Sequence, residues 1–291
     1  MKTLLERTVS PREEMASYET LWGMKNATQK SVANLFCNHP GLPSGVLRHL
    51  KSHELFLDDL YELVRSFLDT VGGFSVGING SFQYPERLRA ATYPLELFYY
   101  RGQIELAESR CVSVVGARKV SENGMKRASR LARELVEAGF TIVSGLAKGV
   151  DTAAMEAAIT AQGKTIGVIG TPINQVYPKE NASLQESVAQ DHLLLSQVPF
   201  YRYQNQPFQT KKYYFPQRNE TMAALSEATI IVEASNTSGS LTQARAALQQ
   251  GRKLFILNSC FENSEISWPK KYEEKGAIRV HTTTEILNAL K

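Results

Sequence analysis

The 291-residue sequence has few of the features that cross-link a protein or anchor it in a membrane. Its three cysteines, Cys37, Cys111 and Cys260, are widely separated and form no CxxC pair, which argues against a disulfide framework or a zinc site. Cys111 and Cys260 adjoin apolar runs, so we expect buried, inert thiols there. No apolar run approaches the ~20 residues that a membrane span needs. Charged Glu6 and Arg7 interrupt the apolar start, so we expect no signal peptide and a cytoplasmic protein with no membrane role.

The chain also lacks a strong excess of charge and a recognisable set of catalytic or metal-binding residues. Its 33 basic and 29 acidic residues leave a net charge of +4, which permits a polyanionic partner without requiring one. His49 and His53 have the i,i+4 spacing of one helix face, but no matching carboxylate or third ligand is nearby. No Ser-His-Asp or Cys-His set stands out. We therefore expect no metal, no cofactor and no enzymatic activity.

The hydrophobic pattern changes character near residue 80. Apolar residues recur at helical spacing before that point, and a glycine-rich stretch at 72–80 then interrupts the pattern. We predict a helical N-terminal domain over residues 1–80 and a second domain over residues 81–291. The predicted N-terminal helices are 11–22, 29–37 and 54–68.

In the second part, short apolar segments alternate with amphipathic ones, which indicates an α/β fold with a doubly wound, mostly parallel sheet covered on both faces. Gly139, Gly163 and Gly251 follow three predicted helices, where left-handed caps are favoured. The predicted strands are 97–101, 112–115, 141–143, 165–169, 193–195, 229–232, 253–257 and 277–280. The predicted helices are 86–91, 123–138, 151–162, 181–190, 219–225, 240–250 and 284–290.

The first candidate binding loop, Gly116-Ala117-Arg118, directly follows a predicted strand. Ligands of such sheets bind beyond the carboxyl ends of the strands, where helix N-termini favour anions. Arg118 offers a bidentate fork for phosphate, or it pairs with a carboxylate at the sheet edge. The spacing from Gly116 to Gly124 does not match GxGxxG, so a dinucleotide cofactor is not expected.

Two further glycine-containing loops follow other strands. Lys148 and Gly149 stand at a helix entrance and suit an anion, although the sequence is not a Walker A motif. Asp151 is expected simply to cap the next helix. Residues 238–240 offer hydroxyls and backbone N–H groups at another helix start, or form an ordinary N-cap.

Residues 201–219 interleave basic and aromatic side chains. Such a segment suits a single-stranded nucleic acid, because each stacked base contributes ~1–3 kcal/mol and lysines neutralise phosphates. An ordinary loop with buried aromatics and solvated lysines is the alternative. Tyr177 is likewise either a packed aromatic or a ligand contact.

Seven sequence pieces, taken in order, resemble the DprA/Smf family of DNA-processing proteins over residues 84–257. The pieces are Val115-Gly-Ala-Arg118, Ser144-Gly-Leu-Ala-Lys-Gly-Val-Asp151, Gly170-Thr171, Tyr177-Pro-Lys-Glu-Asn181, Phe215-Pro-Gln-Arg-Asn219, Val232-Glu-Ala234 and Ser238-Gly-Ser-Leu241.

The resemblance implies an extended Rossmann-like domain that binds single-stranded DNA without catalysis. It also implies a homodimer that helps to load a RecA-type recombinase during DNA recombination and natural transformation. The DNA- or phosphate-binding residues predicted from the motifs and the basic segment are Gly116, Arg118, Lys148, Gly149, Lys211, Lys212, Phe215, Arg218, Asn219, Ser238, Gly239 and Ser240.

Several positions depart from the family pattern, and two of them adjoin predicted site residues. Ala117 stands where the family usually has serine, and Glu220 replaces an arginine, which is expected to place negative charge near the phosphate path. The alternative function is a nucleotide-binding or nucleotide-hydrolysing enzyme similar to the LOG phosphoribohydrolases. Those enzymes carry a glutamate in the loop comparable to 238–243; this chain has none there, which leaves only Glu233 as a substitute. A third possibility is a protein–protein adaptor that docks through residues 1–75.

Overall fold

A computed structural model describes residues 9–52, 54, 56–81 and 83–291. Two expectations fall outside these ranges: the charged N-terminal start and the position of His53. Within them, no helix combines the length and apolarity needed to cross a membrane. The same ranges contain no cluster of three or more histidine, cysteine or acidic side chains suited to a metal ion.

Helices come first in the chain, and their starts carry clear capping signals. The Ser10 side chain accepts a hydrogen bond from the Glu13 N–H with Pro11 at the first helical position, and Thr28 forms a capping box with Ser31. A third helix, absent from the prediction, begins at Pro43 and contains Gly45, which weakens the local helical signal. The N-terminal helices are α1 (Pro11–Gly23), α2 (Gln29–Asn38), α3 (Pro43–Lys51) and α4 (Phe56–Leu68).

One nine-stranded sheet forms the centre of the described structure, in the order β1-β2-β6-β5-β4-β3-β7-β8-β9. The pairs β1–β2 and β2–β6 are antiparallel, and the others are parallel. This confirms the predicted α/β, Rossmann-like architecture. The strands are β1 (Ser75–Ile78), β2 (Leu97–Gly102), β3 (Cys111–Val115), β4 (Thr141–Ser144), β5 (Thr165–Ile169), β6 (Leu193–Ser196), β7 (Ala228–Ile231), β8 (Lys253–Leu257) and β9 (Ile278–Val280).

The strand order reverses at β3, because β4 to β6 extend to one side of it and β7 to β9 to the other. Such a switch point leaves a crevice at the carboxyl ends of the two diverging strands. The remaining helices are α5 (Glu86–Arg89), α6 (Glu122–Glu137), α7 (Val150–Thr160), α8 (Ala182–Asp191), α9 (Phe200–Asn205), α10 (Phe208–Lys211), α11 (Tyr214–Leu225), α12 (Ser240–Gln249), α13 (Asn258–Phe261), α14 (Trp268–Glu273) and α15 (Thr283–Ala289).

The predicted strands are all present, but several short elements were missed. β1 occupies the glycine-rich stretch that was interpreted as a boundary, and α9 and α10 replace a predicted loop. Gly139 and Gly251 have the positive φ expected of left-handed caps, whereas Gln162 rather than Gly163 adopts it after α7. Cys111 and Cys260 are buried as predicted, and burial raises the pKa of Cys260 to about 11, so its thiol is protonated and unreactive.

The N-terminal helices and the sheet share one hydrophobic cluster. Tyr18 and Leu57 from the helices lie in the same buried group as Leu97 and Tyr99 of β2. The division of the chain at residue 80 therefore stays a prediction about folding units.

Candidate functional site

A cleft of about 1040 Å³ opens at the switch point, between the loops that follow β3 and β7. The two loops are joined directly, because the Ala117 N–H donates to the Glu233 carbonyl over 2.7 Å. Gly116 permits this approach, since a Cβ there would lie 2.5 Å from Val150 and 2.7 Å from that carbonyl. The starts of α11 and α12 complete the cleft.

Arg118 projects from the β3 loop into this cleft and is exposed to solvent. Its guanidinium carbon lies 5.9 Å from the centre of the Phe215 ring. Across the described ranges of the chain, no carboxylate forms an ion pair with it, so the alternative of a pairing at the sheet edge is not realised. The side chain is therefore available to an anionic ligand beside an aromatic face.

Arg218 lies beneath the same surface and is only 6% exposed. Its Nη1 donates to the Val168 carbonyl over 2.9 Å, while its Nε has no hydrogen-bond partner among the described residues. Burial lowers its pKa to about 10, Asp151 favours the charged form and Arg118 opposes it. Arg218 thus places a buried positive charge under the cleft and does not offer an exposed guanidinium for bidentate contact with a phosphate.

Asp151 does not cap α7, contrary to the sequence prediction. Its carboxylate instead accepts hydrogen bonds from the Gly145 N–H (3.0 Å) and the Ala147 N–H (3.4 Å), and Gly149 occupies the N-cap position. Burial raises the pKa of Asp151, although the nearby Arg218 opposes this. The carboxylate therefore shapes the β4 loop.

A smaller cavity of about 70 Å³ adjoins the cleft and brings four predicted residues together. Tyr177 also lines it, with its ring centre 5.4 Å from that of Phe215. Half-exposed and next to two arginines, Tyr177 fits the ligand-contact alternative left open by the sequence. The lining residues are Arg118, Gly145, Ala147, Lys148, Tyr177, Pro178, Phe215 and Arg218.

The start of α12 lines the larger cleft with the three small residues that the sequence predicted. The Ser238 and Ser240 hydroxyls are 2.6 Å apart, and a Cβ on Gly239 would meet nothing within 4 Å. Asn219 donates from Nδ2 to the Gly239 carbonyl over 3.1 Å, which connects α11 to α12. Asn219 therefore positions this loop as well as lining the cleft.

Other predicted residues lie outside both cavities or already have partners. Lys211 Nζ is 4.5 Å from the Tyr203 ring centre, and Lys212 Nζ is 5.5 Å from that of Tyr213. Lys148 pairs with Glu180 over 2.5 Å. Gly149 has φ +84°, and a Cβ there would lie 2.3 Å from the Ala117 carbonyl. Glycine at this position therefore allows the loops after β3 and β4 to pack closely against each other.

Glu220 does not line the cleft, so the expectation of negative charge along the phosphate path is wrong. It faces a separate cavity of about 310 Å³ that Gln29 also lines, and burial raises the pKa of its carboxyl. Glu233 does line the cleft, but its oxygens accept from the Ser121 N–H (2.8 Å) and hydroxyl (2.6 Å) and lie 3.3 Å from Arg127. That carboxylate joins the β7 loop to the start of α6.

Comparison with known proteins gives consistent matches. DNA processing protein DprA of Bacillus subtilis is 34% identical over 219 residues, which are 74% of this chain and 72% of that protein. DprA of Streptococcus pneumoniae is 42% identical over 161 residues, 55% of each chain. Protein Smf of Escherichia coli is 36% identical over 210 residues, 72% of this chain. The match covers 54% of that Smf protein, so the chain spans little more than half of two of these relatives.

Solved structures agree with the sequence matches. The X-ray structure of S. pneumoniae DprA superposes with a TM-score of 0.69 at 28% identity, covering 97% of this chain and 93% of that one. A Helicobacter pylori DNA processing protein A structure gives 0.63 at 30% identity, covering 75% and 95%. Residues 76–291 match the family model described as DNA recombination-mediator protein A. The chain therefore belongs to the DNA recombination-mediator protein A family, the family of the DprA and Smf proteins.

Proposed function

We propose that this protein is a non-catalytic DNA-processing protein that binds single-stranded DNA in the cleft at the β3–β7 switch point. The observation that carries the proposal is the position of Arg118, which is exposed beside Phe215, lies above the buried Arg218 and forms no ion pair with any residue that the structure describes. Family membership supports it, and the H. pylori relative was solved in a study of its single-stranded DNA binding mode.

The geometry supplies the two interactions that single-strand binding needs, which are phosphate neutralisation and base stacking. Arg118 neutralises a phosphate and releases its counterions, while Phe215 and Tyr177 offer ring faces to bases. Lys148 contacts a phosphate of the strand only if its ion pair with Glu180 is broken. Because stacking and phosphate contacts tolerate any base, the binding has little sequence preference.

A salt titration of oligonucleotide binding tests the proposal. Arg118→Ala should weaken binding to all single-stranded sequences alike and make the slope of log K against log salt shallower by about 0.7, the contribution of one phosphate contact. Arg133→Ala is the matched control, because Arg133 is an exposed arginine of α6 that does not line the cleft. An unchanged slope in Arg118→Ala, or equal affinity for duplex and single strand, would contradict the proposal.

The absence of catalysis has a separate test. Glu233, the substitute considered for a hydrolytic glutamate, is held by Ser121 and Arg127, which supports a structural task for it. The protein is incubated with nucleoside monophosphates and assayed for free base. Release of base that Glu233→Gln abolishes would favour the nucleotide-hydrolysing alternative.

We further propose a cytoplasmic homodimer that helps to load a RecA-type recombinase onto the bound strand, in DNA uptake or a related recombination process. Family membership supports these assignments. Sedimentation equilibrium tests the dimer. The rate at which a RecA-type recombinase assembles on protein-coated single strands, with wild type against Arg118→Ala, tests the loading step.

A further inference from the structure

The segment between β6 and α11 carries two aromatic rings that are exposed to solvent. Phe208 on α10 is 84% exposed, more than any other large hydrophobic side chain in the described ranges, and Tyr213 is 60% exposed. Single exposed apolar residues are common on protein surfaces and need no explanation alone. Here, two such rings lie five residues apart in the chain, and Lys212 Nζ is 5.5 Å from the centre of the Tyr213 ring.

The cations of this segment are not neutralised by acidic side chains. Lys212 lies over the Tyr213 ring and Lys211 over the Tyr203 ring. Neither lysine forms an ion pair with any acidic residue that the structure describes. Exposed rings beside unpaired positive charges are the combination that a single-stranded polynucleotide recognises, whereas an apolar protein partner would leave the two charges without counterparts.

The segment continues directly into the cleft. Tyr213 precedes Phe215 by two residues, a span of at most about 7 Å of extended chain. Tyr214, between them, is buried, and its ring centre lies 5.7 Å from that of Tyr203. Phe208 precedes Phe215 by seven residues, at most about 25 Å of extended chain. Both exposed rings are therefore within reach of a strand that is seated against Phe215 and continues out of the cleft.

The N-terminal helices hold α9, the helix that directly precedes α10 in the chain. Glu19 of α1 accepts hydrogen bonds from the Phe200 N–H (2.7 Å) and the Tyr201 N–H (3.0 Å) at the start of α9. Arg202 donates to the Trp22 carbonyl (2.9 Å) and the Met24 carbonyl (3.1 Å) at the end of α1. The chain that leads into α10 therefore starts from a fixed helix, which limits the conformational entropy that this segment loses when a ligand binds.

We propose that Phe208 and Tyr213, with Lys211 and Lys212, form a second stacking surface for the part of a single strand that leaves the cleft. This inference rests on the proposed function, and it adds a length dependence that the cleft alone does not produce. Strands confined to the cleft do not reach Phe208, whereas longer strands place a base on each ring.

The test measures binding of oligothymidylates of increasing length to the full chain. The Phe208→Ala/Tyr213→Ala variant should bind long strands at least about 25-fold more weakly, because it loses two stacked bases and each costs a factor of about five or more. It should bind the shortest binding strands as wild type does. Phe208→Trp/Tyr213→Phe should retain wild-type affinity at every length. Leu63→Ala, a change at an apolar residue of α4 that is as exposed as Tyr213, serves as the control.

Three outcomes would overturn the second surface. The first is an affinity in the double alanine variant that equals that of Leu63→Ala at all lengths. The second is a loss that does not depend on strand length. The third is a change in sedimenting mass without loss of affinity, which would identify a protein contact instead. Arg118→Ala weakens short and long strands alike if the cleft binds DNA, so failure of the proposed function is recognised separately.

Discussion

Arg118 and Arg218 differ in what surrounds them, and this difference decides their roles. Arg118 is exposed beside Phe215, so a phosphate can replace the water around its guanidinium at a modest cost in free energy. Arg218 is buried and donates to a backbone carbonyl, so its charge acts through a medium of lower dielectric constant. The Asp151 carboxylate offsets part of that charge, and the buried guanidinium is not free to move toward a ligand.

At the residue scale, we predict that Arg218 and Asp151 depend on each other. Arg218→Met should lower the free energy of unfolding by about 1–3 kcal/mol, because it leaves the Val168 carbonyl without its buried donor and removes the positive charge that favours the ionised Asp151 carboxylate. Adding Asp151→Asn should recover part of that loss, since the uncompensated charge is then removed. Urea denaturation of the two single variants and the double variant measures the coupling. Strictly additive losses would show that the two side chains act independently.

At the scale of elements, α9 depends on a carboxyl group contributed by another helix. Glu19 of α1 is completely buried and also accepts a hydrogen bond from the Tyr99 hydroxyl of β2. Burial raises its pKa from 4.5 to about 7, although the hydrogen bonds from Tyr99, Phe200 and Tyr201 lower it in part. The folded protein therefore holds a proton on Glu19 at pH values where the unfolded chain has released it.

The sign of the resulting pH dependence follows from linkage. Between the unfolded pKa of 4.5 and the folded value of about 7, the folded state binds more protons, so stability falls as the pH rises. Glu19 accounts for a loss of about 3 kcal/mol across this window, since one pKa unit corresponds to ~1.4 kcal/mol. Glu19→Gln should remove that part of the pH dependence, as measured by denaturation at pH 4.5 and pH 7.5.

The matched control for Glu19 is Glu13→Gln, in which an exposed acidic residue of the same helix is neutralised. It should leave the difference in stability between the two pH values unchanged. A pH profile of Glu19→Gln that is parallel to that of wild type would show that this carboxyl titrates normally in the folded protein.

At the scale of the whole molecule, the N-terminal helices and the sheet share a core. The chain contains only two tryptophans, Trp22 in α1 and Trp268 in α14. Because α1 packs in the same buried cluster as β2, we predict that the two regions unfold together. In a Trp268→Phe variant, the fluorescence transition of Trp22 should coincide with the loss of helical circular dichroism. An earlier transition of Trp22 would show that residues 1–80 unfold as an independent domain.

The sequence alone was sufficient for eight of the nine strands and for the loops that follow them, but not for β1. Eight strands were predicted within one or two residues of their observed bounds, because each combines an apolar run with flanking glycine or polar turns. The missed elements are short, and tertiary contacts stabilise some of them. α9, for example, is six residues long and is held by Glu19 and Arg202 rather than by a pattern of its own.

What only the tertiary structure decided is the direction in which the site residues point. The sequence prediction began the helix at residue 219, but α11 begins at Tyr214, five residues earlier. Residues two apart on a helix do not share a face, so Arg218 enters the interior beneath the cleft while Glu220 lines a different cavity. The sequence alone showed that basic and aromatic residues occupy this stretch. The packing of α11 against the sheet determined which of them face the cleft, because burial favours one face of the helix and the sequence alone did not identify it.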